Sequence, residues 1–279
     1  MDLAQLATVA FLVLGLLVGS FLNVVIHRLP VMLERAWARE YQELQGEEPP
    51  ESPAYNLLVP RSHCPHCNHG IRWYENVPVV SYTVLRGRCS ACKQPISPRY
   101  PLVEVITGLL FAWCGHRWGI SLTALTWSGF AAALVTLTLI DWDTTLLPDD
   151  ITLPLVWAGM VAAYWGISGV PLASALWGAI FGYVSLWSVY WLFKLATGKE
   201  GMGYGDFKLL AGLGAWFGWE ALLPIILMSS IIGAVVGIAL KMNSKLREGG
   251  YMPFGPFLAG AGLVSLLVGT DVTRRMIGI

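Results

Sequence analysis

The feature that most constrains this chain is a succession of long apolar runs: residues 3–26, 101–118, 121–140, 151–167, 172–196, 207–219, 221–241 and 254–270. A helix needs about 20 mostly apolar residues to cross roughly 30 Å of hydrocarbon. The runs therefore predict an all-α polytopic membrane protein with about eight transmembrane helices. The sixth run is short and glycine-rich, and only the turn at Phe217–Glu220 separates it from the seventh. Composition agrees: 55% of residues are hydrophobic and 13% charged, against about 25% charged in soluble domains. A soluble protein this apolar would expose large adhesive patches. The polar block 27–100, between the first two spans, is the one place for a soluble domain.

Eighteen basic and eighteen acidic residues cancel, so the chain has no overall positive field for nucleic acid. Their distribution is more informative. With the N-terminus outside, the inner segments 27–100, 141–150, 194–208 and 241–253 hold 9, 0, 3 and 3 of the Lys and Arg residues. Arg117, Arg274 and Arg275 fall outside. Long loops count for less under the positive-inside rule, yet the short loops alone favour six over three. The expected orientation is N-out and C-out, with 27–100 in the cytoplasm. A cleaved signal peptide is the other reading of the first span. Asp2 is its only early charge, however, and Gly19-Ser20-Phe21-Leu22-Asn23 is a poor cleavage site. No internal repeat of 20–50 residues is visible, which argues against inverted-repeat transporters.

Four of the five cysteines form Cys64-x2-Cys67 and Cys89-x2-Cys92, with 21 residues between the pairs. Two such knuckles match a structural zinc pattern, each giving two thiolates about 2.3 Å from one ion. Pro65, Pro95, Gly70 and Gly87 suit the tight turns required. Two disulfides are the alternative, and a reducing cytosolic loop argues against them. His63, His66 and His69 are expected to be bystanders, because four thiolates saturate the ion and leave no open position for hydrolysis. Cys114 lies inside the second span and is read as packing.

Ionisable groups at membrane level are costly and are functional candidates by default. They are Glu104, Asp141, Asp143, Asp149, Asp150 and Asp206, all on the expected cytoplasmic side. Asp141 ends the apolar run Leu134–Ile140, whereas Asp143 is expected to face water. Asp149 and Asp150 follow Pro148, where helix capping explains at least one of them. Asp206 closes Gly203-Tyr204-Gly205-Asp206; its plain alternative is a cap after a glycine-rich loop. Two aspartates from different helices meeting at one point would form an aspartyl hydrolase, one acting as base on water and the other as acid on the scissile carbonyl. Asp141 and Asp206 are 65 positions apart, so that meeting requires the third and sixth spans to come together.

These residues resemble the type IV prepilin peptidases, which are also the leader-peptidase/methyltransferases of type II secretion. The likeness runs through Gly19–Pro30, Cys64-Pro65-His66-Cys67, Trp73–Pro78, Arg86–Cys89, Arg99–Glu104, Ile140-Asp141 through Asp149, and Gly203–Asp206. It implies an aspartyl peptidase of the Gly-x-Gly-Asp type whose catalytic pair falls on Asp141 and Asp206. It implies cleavage of the short basic leader of prepilins or pseudopilins at the cytoplasmic face of the bacterial inner membrane, after a Gly and usually before a Phe. It further implies N-methylation of the new terminus with S-adenosylmethionine, to which the cysteine loop is linked. The implied organisation is a first helix at 1–26, a zinc-binding, methylation-associated loop domain at 27–100 and a transmembrane peptidase domain at 101–279. Arg86, Gly87 and Arg88 are the candidates for the methylation site, and no Gly-x-Gly-x-Gly loop marks a nucleotide. The stretch before the first knuckle is longer than in several relatives, and its acidic run Glu47-Glu48-Pro49-Pro50-Glu51 reads as a linker. Glu104, Asp149 and Asp150 are candidates for steering the leader.

Other readings are weaker. A metalloprotease lacks His-Glu-x-x-His. A rhomboid-like serine protease has only Gly166-Ile167-Ser168-Gly169, with His116 at the outer end of the second span. A transporter using the aspartates for ions or protons, and a non-enzymatic zinc-loop assembly factor, are the readings from other classes.

Overall fold

The computed structural model describes residues 2–47, 53–242, 252–270, 273 and 275. Most of the acidic run at 47–51, the basic residues Lys245 and Arg247, and Arg274 lie outside the described residues. The chain divides into two compact units, Met1–Ala124 and Leu125–Ile279.

In the first unit, α1 (Leu3–Leu44) packs on α3 (Arg99–Trp118). Asp2 starts α1 with a capping box to Gln5, a reciprocal pairing that satisfies otherwise orphaned N–H groups. Ala7, Phe11, Gly15, Gly19, Leu22 and Ile26 form the buried stripe of α1. Their three- and four-residue spacing places them on one helix face. The other face, with Leu3, Leu6, Val13, Leu17 and Phe21, is exposed, as suits a helix in lipid. Gly19 is needed for close approach, because a Cβ there would lie 2.7 Å from the backbone of Glu104. The helix continues past the apolar run to Leu44, with Pro30 inside it. The sequence 31–44 is rich in Leu, Glu, Arg and Ala, which are good helix formers. A short helix, α2 (Val80–Val84), lies in the polar block.

The second unit contains most of α4 (Leu122–Thr144), then α5 (Asp149–Tyr164), α6 (Leu172–Thr197), α7 (Tyr204–Phe217), α8 (Leu222–Met242) and α9 (Gly255–Val268). Helix α7 is central. It packs against α5, α6, α8 and α9, and its Trp216 meets Trp127 and Phe130 of α4. Every residue from Asp206 to Trp216 except Lys208 is buried. The break expected at Phe217–Glu220 falls at Gly218, whose φ of +83° only glycine adopts readily.

Helices α6 and α7 touch backbone to backbone: a Cβ on Gly178 or Gly214 would strike the carbonyl oxygen of the other. Small residues at such crossings allow the close packing that holds helices together in lipid. Gly178→Ala should therefore destabilise the protein by about 1–3 kcal/mol, as overpacking does. A thermal midpoint in detergent that stays unchanged would contradict this contact.

Among the described residues, four helical segments are long and apolar enough to cross a membrane: Leu3–Leu44, Leu122–Thr144, Leu172–Thr197 and Trp219–Met242. Helix α5 has 16 residues and α7 and α9 have 14 each. At 1.5 Å per residue they reach about 21–24 Å, short of the roughly 30 Å hydrocarbon layer.

Candidate active site and metal centre

Asp141 lies three residues before the end of α4, which closes as Thr145, in the left-handed conformation (φ +57°), donates its N–H to the Asp141 carbonyl at 2.8 Å. Asp206 lies in the first turn of α7, where its N–H donates to the Gly203 carbonyl at 3.3 Å. Both side chains are buried, with residue exposures of 4% and 6%. The carboxyls are close enough for the charge of Asp141 to act on Asp206.

Two glycines and one leucine pack where the turn after α4 meets the starts of α7 and α9. A Cβ on Gly205 would lie 2.6 Å from the Cβ of Leu147, so the second glycine of Gly-x-Gly-Asp is the one that packing demands. Gly203 meets nothing comparable and serves as the helix N-cap. A Cβ on Gly255 would lie 2.5 Å from Oδ2 of Asp141 and 3.0 Å from Leu147. Leu147 thus touches the starts of both α7 and α9, and Gly255 presses on the Asp141 carboxyl. Sequence reasoning missed Gly255. The available signal was Pro253-Phe254-Gly255-Pro256 at the entrance to the last apolar run, a glycine between prolines where a helix starts.

The remaining carboxylates have other surroundings. Asp143 and Asp150 are exposed. Asp149, in the first turn of α5, pairs with Lys208 of α7 at 2.6 and 2.7 Å. Glu104 is buried on α3, and its Oε2 accepts the Val79 N–H at 2.7 Å. Val79 has φ +60° and ψ −43°, and the Val80 N–H bonds back to the Pro78 carbonyl. That is a γ-turn of the rare, strained hand, and Glu104 clamps it.

In the first unit the polar block folds around its cysteines. The two knuckles are built alike. Cys64 N–H donates to the His69 carbonyl at 2.9 Å and Cys89 N–H to the Gln94 carbonyl at 2.9 Å. Each is closed by a single β-bridge, His63 with Gly70 and Arg88 with Pro95. The residue after each second cysteine, Asn68 or Lys93, takes positive φ, so the turns rest on these residues and not on Gly70. The four sulfur atoms lie within 4.8 Å of one another. Cys64 and Cys92 are 3.8 Å apart and Cys67 and Cys89 4.0 Å. Those separations exceed the roughly 2.05 Å of a disulfide and match the roughly 3.8 Å edge of a tetrahedron with 2.3 Å metal–sulfur bonds.

Backbone N–H groups of Cys92 and then Ala91 point at the Cys89 sulfur and lower its thiol to about 6, which favours the thiolate that ligates metal. The residues present fit a four-coordinate ion. Among the described residues no histidine joins the cluster: His69 faces Glu75 at 3.4 Å, and His63 Nδ1 lies 3.1 Å from the Arg61 carbonyl. Arg86 and Gly87 form consecutive left-handed residues (φ +52° and +66°) leading into the second knuckle. The side chains of Arg86 and Arg88 are exposed.

Comparison with known proteins agrees with this division of the chain. Residues 13–118 match the bacterial peptidase A24 N-terminal domain and residues 128–238 match the type IV leader peptidase family. A protein of Stutzerimonas stutzeri named prepilin leader peptidase/N-methyltransferase is 54% identical over 94% of this chain and 91% of its own length. Proteins of the same name from Pseudomonas putida and Pseudomonas aeruginosa are 55% and 52% identical, over 93% and 94% of this chain and 90% and 91% of their own lengths. No solved structure matches the chain. With both domains matched and such identity along nearly its whole length, the chain belongs to the type IV leader peptidase family.

Proposed function

We propose that this chain cleaves the basic leader from type IV prepilins or type II secretion pseudopilins and N-methylates the new terminal residue with S-adenosylmethionine. The observation that carries the peptidase half is the placement of two buried carboxyls, Asp141 and Asp206, within electrostatic reach at the ends of different helices, with Gly255 against Asp141 and Leu147 packed on Gly205 beside Asp206. Like charges so placed hold one proton between them. The ionised partner takes a proton from water, and the hydroxide oxygen attacks the scissile carbonyl carbon. The protonated partner gives its proton to the carbonyl oxygen. Collapse of the tetrahedral intermediate breaks the C–N bond, and a proton passes to the departing amine. That amine is then the methyl acceptor.

Zinc at Cys64, Cys67, Cys89 and Cys92 would fold the loop, since four thiolates leave no coordination position for water. The methyl donor supplies an electrophilic methyl group. We assign its placement to Arg86, Gly87 and Arg88, where two exposed guanidinium groups beside the knuckle suit a carboxylate. The eight apolar runs are read as eight membrane segments of the bacterial inner membrane. The N-terminus lies outside and the 27–100 domain lies in the cytoplasm ahead of the peptidase domain 101–279, as the basic residues favour.

The test is the purified protein in detergent with a prepilin and S-adenosylmethionine, read by mass spectrometry. Loss of the leader and gain of one methyl group on the new N-terminus are expected; a pilin of unaltered mass would refute the reading. Gly255→Ala should lower cleavage roughly 100-fold, because the added methyl displaces the Asp141 carboxyl by a distance on the scale of 1 Å. Full activity in that variant would mean that Gly255 does not shape the site.

A further inference from the structure

Helix α7 begins without a side-chain cap at Gly203, so something else must fix where Asp206 sits. The six-residue step from Lys194 to Glu200 carries the chain out of α6 toward the Gly-x-Gly-Asp turn. Lys194 Nζ donates to Glu200 Oε1 at 2.8 Å and to the Tyr190 hydroxyl at 3.1 Å. It also lies 5.4 Å from the ring centroids of Tyr190 and Trp191. Gly198 caps α6 in the left-handed conformation, with its N–H on the Lys194 carbonyl at 2.8 Å. Tyr190 is 2% exposed. Its ring lies 5.3 Å from Tyr204 and 5.7 Å from Phe207, the residues flanking Gly205-Asp206. The loop is therefore fastened to α6 at Glu200 through Lys194, and the start of α7 is fastened to the same spot through Tyr190.

We infer that Lys194, Glu200 and Tyr190 form a latch that positions Asp206 for catalysis. This rests on the reading of Asp206 as one of the catalytic pair. The latch residues are positioning residues and touch no reacting atom. The ion pair is too open to water to hold the fold together: the side chains of Lys194 and Glu200 are 35% and 69% exposed, and such pairs contribute little stability. What a charge-assisted bond can do here is select one conformation of a short loop. Two glycines, Gly201 and Gly203, would otherwise leave that loop many conformations.

The experiment measures prepilin cleavage by the full-length protein in detergent. Lys194→Met and Glu200→Gln should each lower kcat by roughly two- to fivefold with KM unchanged, the population shift that an exposed ion pair can hold. Lys194→Glu combined with Glu200→Lys should recover most of that loss, because the swapped pair can still close the loop. The thermal midpoint and the methylation of pre-cleaved pilin should stay at wild-type values. An unchanged kcat, a raised KM at constant kcat, a swap with no recovery, or methylation falling in step with cleavage would each overturn the latch. Asp206→Asn in the same assay separates the two levels. If it cleaves normally, the catalytic assignment itself fails. If it is inactive while Lys194→Met is fully active, only the latch fails.

Discussion

Asp141→Asn and Asp206→Asn are each expected to reduce leader cleavage by about 10²–10⁴-fold, the usual contribution of a positioned acid or base. The amide is nearly isosteric, so the packing of Leu147, Gly205 and Gly255 around the site should survive. What disappears under the proposed mechanism is the shared proton: an asparagine can neither take a proton from water nor surrender one to a carbonyl oxygen. The two losses should not add, because residues that act as a unit fail as a unit. The double variant should therefore be about as slow as either single one. Methylation of a pre-cleaved pilin should continue in all three, which shows that the protein is still folded. Normal cleavage by either single variant would rule out the aspartyl mechanism.

Removing metal from the thiol cluster should have the next largest effect, and on a different activity. Binding of zinc to four-ligand loops supplies about 10–16 kcal/mol of apparent folding free energy. The knuckles contain only two isolated bridges and few other long-range bonds. Chelation, or Cys67→Ser, should unfold the loop and abolish methylation while cleavage falls less. Both assays on one sample, with zinc content measured in parallel, check this. Equal loss of the two activities would mean that the loop supports the whole enzyme. Retention of methylation without metal would remove the cluster from the methylation site.

The thiol cluster was legible in the sequence because each knuckle is a local object: a Cys-x2-Cys turn fixes two sulfurs wherever it occurs. The left-handed residues were less so, since Lys93 gives no hint of positive φ, whereas Asn68 is a familiar exception. The helices followed the apolar runs, with bounds shifted by a few residues. The extension of α1 to Leu44 was hidden because apolar length marks the lipid part of a helix and says nothing about where the hydrogen bonding stops. The meeting of Asp141 with Asp206 could be required by the chemistry but not read from spacing. It depends on Leu147 filling the gap that Gly205 and Gly255 leave. The clamp of Glu104 on Val79 is likewise tertiary, and its charge alone suggested steering of the leader.

The contact between Gly178 and Gly214 also governs motion. Main chain lies on main chain with no side chain between, so α6 and α7 have no cushion on which to slide. The crossing pins the middle of α7 to α6. Movement of the Asp206 carboxyl is left to the first turn of α7, beyond that crossing, and movement of the Asp141 carboxyl to α4 and the turn at Leu147.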